Sequence, residues 1–125
     1  MKHAHQRPRV DRALEQARAA ALACLDQKAN DVVLLDLKGV SGMTDYFVIA
    51  SGTSDTHVRS VAERVIDALR SIGVRPHVVE GLNEGRWVVV DFTDFVVHVF
   101  HPTLRTYYQL ERLWGDAPEM AISHS

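Results

Sequence analysis

The sequence predicts a single α/β domain, with a mixed sheet of about five strands, flanking helices and the element order αββαβββα. Two observations predict this class. Segments with apolar residues at helical spacing alternate along the chain with short apolar runs of strand length. In addition, the region 86–101 has the alternation expected of two strands joined by a tight turn. A chain of 125 residues is long enough for one hydrophobic core but not for two.

The first part of the chain supplies one helix and two strands. Small and apolar residues at helical spacing predict the first helix at about 10–28. The apolar run 31–37 has the length of a strand, and the glycine-bearing segment 38–43 connects it to a second strand near 44–51. We therefore expect two neighbouring strands to follow the first helix.

A second helix and a third strand follow. Ser54 or Asp55 caps the helix, and Gly73 ends it where a left-handed backbone is commonly needed. The third strand covers 74–80, and the strand–helix–strand order predicts a right-handed crossover between parallel strands. The apolar stripe of the helix consists of Val58, Val61, Ala62, Val65, Leu69 and Ile72.

The region 86–101 predicts a β-hairpin whose two faces differ. Thr93 and Asp94 are taken as the turn residues, and side chains then alternate between the faces. One face is wholly apolar and pairs Phe92 with Phe95, Val90 with Val97, and Val88 with Val99. The other face pairs Trp87 with Phe100, Val89 with His98, and Asp91 with Val96. A face that combines these residue types is unlike ordinary core, so we expect a partner to cover it.

Pro102 suits the first turn of a final helix at about 102–114. Its apolar side chains spread over roughly 220°, which is wider than the stripe of about 100° that a helix on a sheet needs. Either this helix is buried on two sides or one side meets a partner. Glu111 falls within the apolar arc and requires a hydrogen-bond donor if it is buried. The apolar residues are Leu104, Tyr107, Tyr108, Leu110, Leu113 and Trp114.

Composition limits the class of partner. The chain is 46% hydrophobic and 24% charged, as in ordinary globular proteins, and its formal net charge is −2. Proteins held mainly by phosphate contacts usually carry a strongly basic domain or stripe. We therefore expect a protein partner, or a protein patch on a larger assembly, and no direct nucleic-acid binding beyond incidental RNA contact.

The chain is expected to work in the cytoplasm. Its single cysteine, Cys24, cannot form an internal disulfide, and no apolar run reaches the roughly 18 residues of a membrane span. Asp11 and Glu15 interrupt the segment that would otherwise resemble a signal peptide. The polar segments 1–9 and 116–125 are expected to be loose tails around a domain at 10–115.

The sequence gives little support for a metal site or a catalytic site. His98 and His101 are three apart on a strand and point to opposite faces, so they do not suit a shared metal. His57 is expected to bond a neighbouring carboxylate or the backbone at the start of the second helix. Nucleotidyl transfer needs a Gly-Ser signal at a helix start, weakly present at 52–54, and paired carboxylates for Mg²⁺, which are missing. We therefore expect no cofactor, no metal and no enzymatic activity.

Several motifs together resemble those of the bacterial ribosomal silencing factor family, also called Iojap-like, over roughly residues 10–115. Where the family usually has Gly in the hairpin turn, this chain has Phe92-Thr93. The motifs are Thr44-Asp45-Tyr46-Phe47-Val48-Ile49, Ser51-Gly52-Thr53-Ser54 with His57, Glu80-Gly81, the Trp87 strand with Asp91, Asp94 and His98, and Arg105-x-x-Tyr108-x-Leu110-Glu111-x-Leu113-Trp114.

The resemblance implies a translational repressor. Such a protein docks on the large ribosomal subunit through ribosomal protein fourteen of that subunit and blocks joining of the small subunit, notably in starvation or stationary phase. It also implies a fold likened to nucleotidyltransferases. The residues expected to bind the partner are Trp87, Asp91, His98, Phe100, Arg105, Tyr107, Tyr108 and Glu111.

Two other functions remain open at this point. The first is a homodimeric interaction module without ribosome specificity, which would bury the same aromatic surface on itself. The second is a protein with residual nucleotide-binding or nucleotidyltransferase activity.

Overall fold

The computed structural model describes residues 11–40, 42–104 and 117–123. Its elements follow the predicted order αββαβββ, and the backbone of residues 102–104 is helical, as expected for the start of the final helix. The rest of that predicted helix lies outside the described residues. The elements are α1 (Arg12–Asp26), β1 (Asn30–Asp36), β2 (Tyr46–Ser51), α2 (Asp55–Ser71), β3 (Val78–Glu80), β4 (Trp87–Asp91) and β5 (Phe95–Phe100).

The five strands form one mixed sheet in the order β1-β2-β5-β4-β3. β2 and β5 are parallel, and the other neighbouring pairs are antiparallel. The α/β class with a mixed five-stranded sheet is therefore confirmed. β3 runs parallel to β2 as predicted, but β5 and β4 lie between them because the hairpin inserts beside β2. The likeness to nucleotidyltransferases stays a prediction.

Both helices pack on the same face of the sheet. α1 presents small residues, among them Ala17, Ala21 and Cys24, which are fully buried and allow close approach to the strands. α2 buries the predicted stripe from Val58 to Leu69. Side chains of alternating residues in β2, β4 and β5 complete this main core, because strand side chains alternate between faces.

A polar network ties the start of α1 to the second strand. Asp11 caps α1, since its Oδ1 accepts a hydrogen bond from the backbone N–H of Leu14. The Tyr46 hydroxyl donates to Asp11 Oδ2 at 2.6 Å, and Lys38 contacts both side chains. The hydrogen bond from Tyr46 is the main cause that lowers the pKa of Asp11, so the cap stays ionised. The network joins three elements that are distant in sequence.

The end of α2 follows the predicted glycine signal. Gly73 has φ +82°. Its N–H bonds the Arg70 carbonyl and the Val74 N–H bonds the Leu69 carbonyl, which is the Schellman pattern. Ile72, predicted as part of the buried stripe, is the C-cap residue and is 56% exposed. The helical spacing overestimated the stripe by one residue because the cap turns the chain away from the sheet.

The third strand is shorter than predicted. The sequence predicts 74–80, whereas β3 contains only Val78–Glu80. Val74 belongs to the helix cap, and Pro76 has no N–H to offer to a ladder. Pairing begins only when the His77 N–H bonds the Asp91 carbonyl at 2.7 Å.

The segment 117–123 is not a loose tail, which corrects this part of the prediction for 116–125. The rest of that prediction, and the predicted tail 1–9, lie outside the described residues. The Asp36 N–H bonds the Pro118 carbonyl at 2.9 Å, and the Met120 N–H bonds the Leu34 carbonyl at 2.7 Å. These bonds surround an antiparallel bridge between Leu35 and Glu119. Met120 and Ile122 pack on the main core. Their alternate spacing was the strand signal in an otherwise polar segment.

The hairpin register agrees with the prediction in every pair of β4 and β5. The Phe92 N–H bonds the Phe95 carbonyl at 2.9 Å and closes the turn. Thr93 has φ +80°, and the Asp94 N–H bonds the Phe92 carbonyl at 3.0 Å across it. This is the strained form of the γ-turn, which a β-branched residue rarely adopts. Thr93 thus adds backbone strain to the turn, while the register of the hairpin agrees with the prediction.

Replacing Thr93 with Gly is expected to raise the free energy of unfolding by about 1 kcal/mol. Glycine removes a backbone strain of roughly 1–3 kcal/mol, and its greater freedom in the unfolded chain offsets part of this gain. Urea unfolding of the two proteins measures the difference. Asp94→Gly is the matched control, because the φ of Asp94 is not positive and glycine there should destabilise. Equal effects of both changes would contradict strain at Thr93.

Truncating Val97 to Ala is expected to lower the free energy of unfolding by about 2 kcal/mol, because it removes two methyl groups from a fully buried position between the helices and the sheet. Val96→Ala, on the half-buried opposite face, should cost less than half as much. Thermal or urea unfolding compares them. A reversed order would show that the inward face is assigned incorrectly.

Candidate functional site

The face of β4 and β5 that points away from α1 and α2 is the candidate site. We call it the Trp87 face, and it consists of Trp87, Val89, Asp91, Val96, His98 and Phe100. The four predicted partner-binding residues of the hairpin therefore lie on one surface. The other four, Arg105, Tyr107, Tyr108 and Glu111, lie outside the described residues.

Aromatic rings are arranged closely on the Trp87 face. The Trp87 and Phe100 rings stack with centroids 5.1 Å apart. Phe47, from the neighbouring strand β2, meets the His98 ring edge-on with centroids 4.6 Å apart. Such pairs stabilise one another beyond simple burial, so the rings form a rigid surface.

The exposure of these rings differs. Phe100 is fully buried in a second apolar cluster with Leu35, Leu37 and Ile49, and Leu104 packs against this cluster. Trp87 is half-buried. Phe100 is therefore the buried ring on which Trp87 stacks, and Trp87 supplies the surface that a partner can contact.

His98 is a neutral, buried hydrogen-bond acceptor for Trp87. The Trp87 indole N–H donates to His98 Nδ1 at 3.2 Å, so the proton of the neutral ring is on Nε2. Burial lowers the pKa of His98 to about 4, although the charge of Asp91 opposes this shift. The bond fixes the orientation of the Trp87 ring.

A cavity of about 530 Å³ opens beside His98. The sequence interpretation did not find it, because the loop that forms one wall has no regular periodicity. Met43 in this loop is 91% exposed. The sequence signal for the cavity was this apolar residue in a turn segment, between Gly42 and Thr44. The cavity is lined by Met43, Thr44, Phe47, His77, Asp91, Thr93, Val96 and His98.

Two buried polar atoms belong to residues that line this cavity. Thr44 Oγ1 and His98 Nε2 have no hydrogen-bond partner in the described part of the chain. Buried polar groups are satisfied in most proteins, so such exceptions indicate either strain or a site.

The residues of the segment 52–54, which carry the weak phosphate-binding signal, make contacts within the protein. A Cβ on Gly52 would lie 2.8 Å from Val58, so glycine is needed for the close approach of the strand end to α2. Ser54 caps α2 through the His57 N–H. His57 Nδ1 accepts from the Thr53 N–H, and its Nε2 bonds the Gln27 carbonyl at 2.7 Å. His57 thus bonds the backbone, as expected, and the N–H groups of His57 and Val58 in the first turn of α2 both have partners in Ser54.

Within 11–40, 42–104 and 117–123 no group of three or more His, Cys, Asp or Glu side chains has the arrangement that holds a metal ion. Across the same residues, no helix is long and apolar enough to span a membrane.

The stability of the protein is expected to fall between pH 7 and pH 5 because of His98. Its pKa is about 4 in the folded state, below its ordinary value of 6.5, so the unfolded chain binds more protons between these values. The loss at pH 5 is roughly 2 kcal/mol. Denaturant unfolding at both pH values should show a smaller loss for His98→Gln. An equal loss in both proteins would contradict a buried neutral imidazole.

Comparison with known proteins identifies relatives along most of the chain. The sequence profile of the family described as "Ribosomal silencing factor during starvation" matches residues 10–125. The ribosomal silencing factor of Bacillus subtilis (strain 168) is 48% identical over 99 residues, which cover 79% of this chain and 84% of that protein.

A crystal structure of a protein from Chromobacterium violaceum superposes with a TM-score of 0.79 at 33% identity, covering 89% of this chain and 92% of that one. A mouse protein named "Mitochondrial assembly of ribosomal large subunit protein 1" is 34% identical over 91 residues, which are 70% of this chain and 40% of the mouse protein. The matched family profile and these identities show that the chain belongs to the ribosomal silencing factor family.

Proposed function

We propose that this protein binds the large ribosomal subunit through ribosomal protein fourteen and sterically prevents the small subunit from joining, so that translation falls during starvation. Family membership supports a ribosomal silencing role. The name of the mouse relative associates that protein with the large subunit. The proposed action is exclusion and needs no reactive group. The proposed location is the cytoplasm.

The observation that carries this proposal is the half-buried Trp87 on a rigid aromatic face. Trp, Tyr and Arg dominate the binding energy of protein interfaces. The indole is held by a hydrogen bond from its N–H to His98 and by stacking on Phe100. A residue that is already fixed in place loses little conformational entropy on binding.

The proposed docking surface consists of the Trp87 face together with one side of the segment that follows it. Arg105, Tyr107, Tyr108 and Glu111 stay in this proposal from the sequence motif. An interface of ordinary size buries about 800 Å² on each partner, which a small domain can provide with one sheet face and one adjoining segment.

Occupancy of the large subunit depends on the concentration of the factor relative to its Kd. Each change of about 1.4 kcal/mol in docking energy changes the Kd tenfold. A few anchor residues can therefore determine which fraction of the large subunits is bound by the factor.

The first experiment mixes the purified protein with separated large and small subunits and follows all three through a sucrose gradient. Migration with the large subunit and reduced formation of 70S particles are expected. Binding to neither subunit would contradict the proposal.

Trp87→Ala is expected to weaken binding to the large subunit at least tenfold, because losing an anchor of this kind costs about 2 kcal/mol or more. The measurement is a binding titration with purified subunits. Ile72→Ala is the matched control, since Ile72 is exposed at the end of α2, away from the Trp87 face. Equal affinity of the two variants, with unchanged unfolding midpoints, would show that the docking surface lies elsewhere.

A homodimer formed through the Trp87 face would compete with binding of this face to the ribosome. Sedimentation at several protein concentrations separates it from ribosome binding. A dimer that Trp87→Ala disrupts, together with no affinity for subunits, would favour the homodimeric interaction module.

A further inference from the structure

The cavity beside His98 differs in character from the aromatic face next to it. Its walls combine apolar groups from Met43, Phe47 and Val96 with the carboxylate of Asp91. Its volume of about 530 Å³ is in the range of ligand pockets, which are about 300–1,000 Å³. An apolar cavity beside a carboxylate suits a side chain with an apolar stem and a cationic end.

Two further aspartates are sequence neighbours of residues that line this cavity. Asp94 follows Thr93 and Asp45 follows Thr44, and both Thr93 and Thr44 line the cavity. The two segments meet directly, because the Asp45 N–H bonds the Asp94 carbonyl at 2.9 Å. The backbone of Asp45 thus meets that of Asp94, and of the three aspartates Asp91 is the one that lines the cavity.

These carboxylates have no basic partner in the described ranges. The ion pairs found there involve Asp11, Glu15, Asp26, Asp36, Asp55 and Asp67. Asp91 uses Oδ1 to accept from the Thr93 N–H at 2.7 Å, which leaves its second oxygen available. Asp94 is exposed, whereas Asp45 and Asp91 are half-buried. His77 also lines the cavity but forms no ion pair with Asp91. Carboxylates that form no ion pair beside a largely apolar cavity are complementary to a positive group.

Independent evidence for a ligand comes from the buried polar atoms of the cavity lining. Thr44 Oγ1 is buried and has no hydrogen-bond partner among the described residues, and this oxygen can accept from the N–H groups of a cation. His98 is only 8% exposed, and its Nε2 also has no partner there. The proton on Nε2 makes this atom a donor, so it indicates a site without selecting a cation. The neutral state of His98 also matters, because an uncharged imidazole does not repel a neighbouring cation.

We propose that this cavity receives an arginine side chain of the ribosomal partner, with its methylene groups against Phe47 and Val96 and its guanidinium paired with Asp91. This inference rests on the proposed function. Arginine fits better than lysine, since a planar guanidinium stacks on aromatic rings and pairs with carboxylates through two hydrogen bonds. The side chain anchors the factor beside Trp87 and makes recognition sensitive to charge.

The test that is independent of the ribosome uses a small probe. N-acetyl-arginine methylamide is titrated into the ¹⁵N-labelled protein and followed by amide chemical shifts. Shifts centred on Thr44, Val96 and His98 are expected. The citrulline analogue, which has the same shape without the charge, should bind at least tenfold more weakly. Equal binding of both analogues, or no shifts around the cavity, would overturn the proposal.

The second test uses Asp91→Asn and purified large subunits. Asparagine keeps an oxygen that accepts from the Thr93 N–H, so the turn is retained and unfolding midpoints should agree. Loss of the charge is expected to weaken binding of the arginine probe and of the subunit about tenfold. Glu63→Gln, exposed on α2 and distant from the cavity, is the matched control and should change neither.

The two proposals fail in different ways. If the wild-type protein does not bind the large subunit, the proposed function is wrong, and the probe titration alone decides whether the cavity binds a guanidinium. If the subunit binds Asp91→Asn and the wild-type protein equally, the arginine site is wrong and the docking function stands.

Discussion

The register of the β4–β5 hairpin determines what the two faces of the sheet can do. Side chains alternate along a strand, so a slip of one residue would move the valines to the outside and the aromatic rings into the helices. The turn prevents such a slip through the Phe92–Phe95 hydrogen bond and through Asp91, whose carboxylate holds the Thr93 N–H. Because β5 also pairs with β2 along its whole length, the same register brings Phe47 beside His98.

On the Trp87 face, buried residues hold in position the more exposed residue that is proposed to contact the partner. Phe100 and His98 have little exposed surface, and they position a tryptophan that has more. A buried imidazole that stays neutral is a dependable acceptor for an indole N–H, whereas a charged one would not be an acceptor at all. The lowered pKa of His98 is therefore part of what keeps the indole in place.

The hairpin could be predicted from sequence because two faces of opposite character leave only one sensible register. The helix bounds and Gly73 were predictable for a similar reason, since capping residues carry a local signal. The length of β3 was not, because Val74 looked like strand and is used by the helix cap. The cavity was also missed, because Met43, Thr44 and Phe47 are distant in sequence from Asp91 and Val96. The parallel β2–β5 pairing and the bond from the Asp45 N–H to the Asp94 carbonyl bring these segments together.

The segment 117–123 gives the two sheet edges different exposure to other molecules. It covers the β1 edge with hydrogen bonds on either side of Leu35, whereas β3 ends the sheet as a strand of three residues that includes Glu80. A long open edge invites pairing with another chain, and short or charged edges resist it. Removing 117–123 would therefore expose a seven-residue strand rich in valine and leucine, so this short segment also protects the protein against aggregation.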